Sequence, residues 1–137
     1  MGRILGIDYG NSRIGLAISD PKKVIAFPHS TIQVKDVVSI KSVIRKIIKK
    51  KEIEAVVIGL PLGLNGKDTT QTRIVRDFKN KIDELSIPTF FQDERYSSIS
   101  AKKTLINQKI KTGYNKDLID RTAAAILLQQ YLDFNNN

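Results

Sequence analysis

The chain opens on an apolar run, Ile4-Leu5-Gly6-Ile7, that ends in a carboxylate, Asp8; a second run, Ile14-Gly15-Leu16-Ala17-Ile18, follows after a short polar turn. The gap is too small for a helix, so the two runs predict an antiparallel β-hairpin with Asp8 at its rim. Gly6 and Gly10 flank that carboxylate and are expected to let a metal ion or a phosphate come close to the backbone. An ordinary hairpin with an acidic turn has the same composition, because Asp and Gly are common turn residues. Residues 23–32 read as a third strand in which Pro28 marks an edge or a bulge.

The period then changes. Over residues 36–51, Val37, Ile40, Ile44, Ile47 and Ile48 share one helical face and Lys41, Arg45 and Lys49 another, which predicts an amphipathic helix capped by Asp36. Its basic face reads first as solvated surface and second as a nucleic-acid contact. Residues 54–61 form a short continuous apolar run closed by Gly59 and Pro61, the pattern of a buried central strand parallel to the first. Thr69 or Thr70 caps a helix carrying Ile74, Val75, Phe78 and Ile82. Residues 87–92 form a fifth strand that delivers Asp93, Glu94 and Arg95 to its carboxyl end, and Ser97 or Ser98 caps a helix with Ile99, Ala101, Leu105 and Ile106. Residues 107–116 lack a period and are expected to be a mobile loop. Residues 117–132 form a last helix whose Ala123, Ala124 and Ala125 allow close packing on the sheet, and 135–137 a frayed tail. The order βββαβαβαα, without repeat or linker, is that of a single α/β domain over 1–134, a mixed five-stranded sheet flanked by helices.

Charge narrows the partners. With 23 Lys and Arg against 14 Asp and Glu, a formal net charge of +9, an anionic partner such as nucleic acid is the first expectation, although abundant Lys, Ile and Asn also follow from A·T-rich coding. The chain has no cysteine, which excludes disulfides, thiolate metal sites and cysteine nucleophiles, and the single His29 cannot build a multi-histidine site. Metal chemistry therefore rests on carboxylate oxygens, which favour Mg²⁺ or Mn²⁺ over zinc. The longest apolar stretch, 123–128, is too short for a membrane span, and Met1-Gly2-Arg3 runs straight into the first strand, so a soluble intracellular protein is expected.

Three acids fall at the lip of the predicted sheet: Asp8 after the first strand, Glu94 after the fifth, and Asp120 in the first turn of the last helix. Ligands of open α/β sheets collect at strand carboxyl ends. Each acid also has a plainer reading. Asp93, Glu94 and Arg95 suit a surface salt-bridge cluster, and Asp117 and Asp120 suit helix capping. For Asp117 the cap is the better reading; Asp120 sits on an alanine-rich face that points toward the sheet.

The segments GIDYGNSRIGLAISD, VIGLPLGLNG, QDERYSS and LIDRTAAAILLQQYL, in that order, resemble the four motifs of the YqgF-type family of bacterial ribonuclease-H-like proteins. That family is described as pre-16S rRNA processing nucleases and as Holliday-junction-resolvase-like enzymes. A strand followed by D-x-G also occurs in sugar kinases and actin-like ATPases, whereas four motifs in order over nearly the whole chain are specific. The resemblance implies a ribonuclease-H-like fold and a metal-dependent phosphodiester hydrolase. It also implies a role in 5′ maturation of precursor 16S rRNA and a cytoplasmic location; ribosomal particles among the partners and a monomer or weak dimer are further expectations, with oligomeric state left open by the sequence. It maps an acidic triad, catalytic and metal-binding, onto Asp8, Glu94 and Asp120, and characteristic arginines onto Arg13 and Arg95. The basic stretch usual before the last helix is reduced here to Lys109, Lys111 and Lys116 among neutral residues.

On this reading Asp8 bridges two Mg²⁺ or Mn²⁺ ions about 4 Å apart, with Glu94 and Asp120 each holding one side. Arg13 and Arg95 either orient the phosphate or brace the carboxylates; sequence leaves both roles open. Lys109, Lys111 and Lys116 are expected to meet the nucleic-acid backbone, and Tyr114 to stack on an unpaired base. Three rivals stand beside it: a branched-DNA resolvase, a non-catalytic RNA- or ribosome-binding module, and a nucleotide-dependent kinase or ATPase piece. Length argues against the last, since no second lobe is present to close over ATP.

Overall fold

The computed structural model describes residues 2–96 and 116–135. Two extended runs too close for a helix form the predicted hairpin: β1 (Arg3–Tyr9) and β2 (Arg13–Ser19) pair antiparallel, with Leu5 opposite Ile18 and Asp8 opposite Gly15. The Gly10 N–H closes the turn by donating to the Arg13 carbonyl at 3.0 Å. β3 (Ala26–Gln33) pairs antiparallel with β2 and forms one edge of the sheet. Its register slips where Leu16 faces Ser30 and Ala17 faces Pro28, so Pro28 marks both an edge and a bulge. The strand starts at Ala26, later than residue 23, because the Asp20 carboxylate accepts the Val24 and Ile25 N–H groups at 2.7 and 2.8 Å and folds them into a turn.

A 3-10 turn (Val34–Asp36) leads into α1 (Val37–Lys50), and β4 (Ile53–Leu60) then enters beside β1, parallel to it, with Ile7 opposite Ile58. α2 (Thr70–Asp83) starts in a capping box: the Thr69 hydroxyl accepts the Thr72 N–H at 3.2 Å and the Thr72 hydroxyl accepts the Thr69 N–H at 2.9 Å. β5 (Thr89–Asp93) runs parallel to β4 at the other edge. α3 (Lys116–Asn135) ends the described chain. The strand order is β3-β2-β1-β4-β5, the mixed five-stranded α/β sheet that the sequence predicts.

The helix expected from Ser97 or Ser98 and the loop expected over 107–116 lie outside the described residues, except that Lys116 begins α3. The last helix also runs further than expected, through Asn135, whose side-chain amide donates to the Tyr131 carbonyl at 2.8 Å. Among the described residues no helix is long and apolar enough to cross a membrane.

The helices divide between the faces of the sheet. α1, through Ile40, Ile44 and Ile47, and α2, through Val75, Phe78 and Ile82, cover one face. α3 covers the other through Ala124, Ala125, Leu128 and Leu132. Ile74, expected on the apolar face of α2, is 38% exposed, because Val75 takes the inward position on that turn. On the basic face of α1, Lys41 pairs with Glu84 at the end of α2, a structural use of one of its charges.

Candidate active site

Side chains alternate along a strand, so Ile4, Gly6 and Asp8 of β1 share the face that α3 covers, while Leu5 and Ile7 join the core under α1 and α2. Asp8 therefore ends its strand on the α3 side. Directly opposite it on β2 is Gly15. On β4, Gly59 follows Ile58, the partner of Ile7, so it borders Asp8 on the other side. The carboxylate stands between two glycines in one row across three strands.

Both glycine positions are filled by other parts of the chain. A Cβ on Gly15 would overlap the Asp120 carbonyl oxygen and approach the Arg121 nitrogen to 3.0 Å, so the second turn of α3 lies directly on the β2 backbone. A Cβ on Gly59 would lie 2.5 Å from Glu94 Oε1 and 2.9 Å from Leu127 Cδ2. Glu94 itself opens the 3-10 turn Glu94–Tyr96 after β5. The row thus brings β1, the turn after β5 and the second turn of α3 to one strand end, with Glu94 Oε1 and the Asp120 main-chain carbonyl as the oxygen atoms that fill its two slots.

The glycines expected to clear this space do other work. A Cβ on Gly6 would meet Leu128 Cβ at 2.8 Å, and one on Gly10 would meet the Arg13 carbonyl oxygen at 2.6 Å, so the first admits α3 and the second the hairpin turn. Gly15 and Gly59 were missed by sequence reasoning. Aligning the two arms of the hairpin about its turn could have found Gly15; Gly59 needed the β1–β4 register. Asp120 also sits one residue deeper in the helix than expected, as the fifth residue of α3 and so at the start of its second turn, because the helix starts at Lys116.

Both arginines brace carboxylates. Arg13 Nε donates to Asp120 Oδ2 at 2.5 Å, with the two side chains 30% and 22% exposed. Arg95 forks onto Asp93: Nη2 and Nε donate to Oδ2 at 2.9 and 3.2 Å, and the backbone N–H donates to Oδ1 at 2.9 Å. Burial pushes the Asp93 carboxyl up, but the hydrogen bonds and charge of Arg95 outweigh it and hold the group below its ordinary value. The guanidinium of Arg95 also lies against Gly66, whose φ of +80° favours glycine and whose Cβ would come within 2.9 Å of Nη1. The salt-bridge reading of 93–95 therefore holds for Asp93 and Arg95.

Among the described residues no three Asp, Glu or His side chains close into a metal-ion cluster, and Asp120 is engaged by Arg13. The donor seated in the slot that Gly59 leaves is nonetheless a carboxylate oxygen, Glu94 Oε1, and Asp8 ends the strand beside it, the donor chemistry that suits a hard divalent cation. Of the expected substrate contacts, Lys109, Lys111 and Tyr114 lie outside the described residues, and Lys116 is placed only as the first residue of α3.

A family model described as RuvX, Holliday junction resolvase, matches residues 2–134. The chain belongs to the RuvX family. It is 42% identical over 137 residues to a protein of Caldanaerobacter subterraneus subsp. tengcongensis, covering 98% of this chain and 99% of that one. It is 38% identical over 133 residues to a protein of Roseiflexus sp., covering 96% and 94%. Both relatives bear the provisional name pre-16S rRNA nuclease. Among solved structures, T. thermophilus RuvC in complex with Holliday junction substrate matches at a TM-score of 0.61 and 12% identity, over 98% of this chain and 96% of that one. At that identity the likeness is one of fold, the ribonuclease-H-like α/β architecture that the four motifs implied. RuvX proteins are nucleases, so the hydrolase class predicted from the motifs holds for this member, and the kinase reading of the Asp8-Tyr9-Gly10 turn falls away.

Proposed function

We propose that this RuvX protein is a divalent-metal-dependent nuclease acting on precursor 16S rRNA in maturation of its 5′ end, with Asp8, Glu94 and Asp120 as its acidic centre. The carrying observation is the Gly15–Asp8–Gly59 row, whose vacated volumes hold the Glu94 carboxylate on one side of Asp8 and the Asp120 turn on the other. RNA is favoured over branched DNA because the relatives that bear the rRNA name match at 38% and 42% identity over almost their whole length, against 12% for the resolvase.

Mg²⁺ or Mn²⁺, as one or two ions, would be held by Asp8, Glu94 and Asp120 and would supply an activated water and charge neutralisation at the leaving oxygen. The other roles belong to the chain. Arg13 fixes the Asp120 carboxylate, and the Arg95–Asp93 fork stiffens the turn that carries Glu94. The net charge of +9 draws in a polyanion, Lys109, Lys111 and Lys116 contact its phosphates, and Tyr114 stacks on an unpaired base. The protein works in the cytoplasm on ribosomal particles, as a monomer or weak dimer.

The test is a cleavage panel of precursor 16S rRNA, single-stranded RNA and a four-way DNA junction, with and without Mg²⁺ or Mn²⁺. Precursor rRNA is expected to be cut only with the ion, and Asp8→Asn to abolish cutting while melting like the parent. Cleavage of the junction with the RNA intact would establish the resolvase reading, which the RuvC-like fold favours. A parent that binds RNA but cuts nothing would establish the non-catalytic module.

A further inference from the structure

We infer that Gly59 is a positioning residue for Glu94: the methyl group it lacks is the seat of the Glu94 carboxylate beside Asp8. The inference rests on the metal-nuclease reading above and deepens it.

Gly59 lies in the most buried stretch of the sheet. Val56, Val57, Ile58 and Leu60 around it are all buried aliphatic residues, and a glycine there forgoes side-chain burial and adds backbone entropy to be lost on folding, which makes it less stabilising than alanine. Backbone geometry does not demand it. Among the described residues Gly66 is the glycine at positive φ, so position 59 has a conformation that any residue adopts. What demands it is space, and the atoms in that space are Glu94 Oε1 and Leu127 Cδ2. Both are the far ends of flexible side chains.

An alanine at 59 therefore does not strike backbone. It lifts the Glu94 carboxylate off the sheet, away from its place beside Asp8, and Leu127 adjusts by rotation. Gly15 contrasts with it, since a methyl group there meets the Asp120 carbonyl of α3. Groups that orient a metal ligand without touching the metal change affinity by about 10–100-fold when altered.

The experiment is a Mn²⁺ titration by calorimetry on the full chain in four forms: parent, Gly59→Ala, Glu94→Gln and the double variant. Gly59→Ala is expected to weaken Mn²⁺ binding by about 10–100-fold while melting close to the parent. In the Glu94→Gln background the same alanine is expected to change Mn²⁺ affinity no further, because its effect passes through Glu94. Equal loss in both backgrounds, or parent-like binding by Gly59→Ala, overturns the inference and leaves the metal site standing. A parent that binds no Mn²⁺ overturns both. If Gly59→Ala fails to fold, Leu127→Val added to it relieves the other close contact, and the titration then reads Glu94 by the same criteria.

Discussion

The two faces of the sheet use the same three central strands for opposite ends. Toward α1 and α2 they present Leu5, Ile7, Ile14, Leu16, Val56 and Ile58, all fully buried. Toward α3 the alternating positions are Ile4, Gly6, Asp8, Gly15, Ala17, Val57 and Gly59, mostly small, and they meet the alanines and leucines of the helix. Burying aliphatic groups at roughly 0.8 kcal/mol per CH₂ makes the first face, with the larger buried cluster, the larger source of stability. The second face forgoes part of that area, so that the α3 backbone approaches β2 closely at Gly15 and the Glu94 carboxylate fits over Gly59. On the proposed function, activity is thus written in missing side chains, and stability in large ones.

Neighbouring residues of β2 offer the sharpest way to break that contrast. Leu16→Ala on the α1/α2 face opens a cavity and is expected to cost about 2–5 kcal/mol, while cleavage of RNA survives in whatever fraction stays folded. Gly15→Ala on the α3 face drives a methyl group into the Asp120 carbonyl, where no side chain can yield. Overpacking of this kind costs about 1–3 kcal/mol or more. Because it lifts the turn that carries Asp120, it should also lower cleavage by about a hundredfold or more in the folded fraction. Urea denaturation paired with initial rates of cleavage measures both. A Gly15→Ala protein that cuts at the parent rate would show that the small face is merely a packing surface.

Arg13 sharpens the comparison with a smaller effect. Its bond to Asp120 joins the hairpin to α3, and a pair this close to the surface contributes about 0.2–1 kcal/mol. Arg13→Lys keeps the charge but loses the Nε donor, so stability should barely move while kcat falls about tenfold with KM nearly unchanged. A raised KM at constant kcat would instead place Arg13 on the substrate phosphate, the other role that the sequence left open.

These effects also mark what could be read from the sequence. The hairpin, the bulge at Pro28, the continuous run of β4 and the Thr69 cap were legible because each depends on a few adjacent residues. The motifs singled out Asp8, Glu94 and Asp120, the proposed triad, one by one. Their surroundings were not legible, since the Gly15–Asp8–Gly59 row is a property of register between strands, and periodicity assigns a residue to a face without saying what lies opposite. Arg13 and Asp120 are 107 positions apart, and no local rule pairs them. Gly6 and Gly10 looked right because they lie near Asp8 in sequence, yet the glycines that border it lie on the neighbouring strands.

The smallest expected effect is at the β3 edge, where the two faces meet. His29 sits at the register slip of β3, with its Nδ1 2.8 Å from the Ser30 hydroxyl. Burial pushes its pKa below the ordinary 6.5, and the charges of Lys51 just after α1, of Arg121 on α3 and of Lys50 at the end of α1 push the same way. The folded form therefore releases its proton more readily than the unfolded chain does. Between the depressed folded value and 6.5 the unfolded state binds more protons, so stability falls as pH drops through that window and is fully present above 6.5. Comparing urea midpoints at about pH 7 and about pH 5 for the parent and His29→Gln isolates the contribution, because the acids common to both proteins cancel. The parent is expected to lose slightly more stability than the variant over that interval. Identical losses would mean that the basic groups gathered from the two faces do not act on His29, and that the edge is electrostatically independent of the helices on either side.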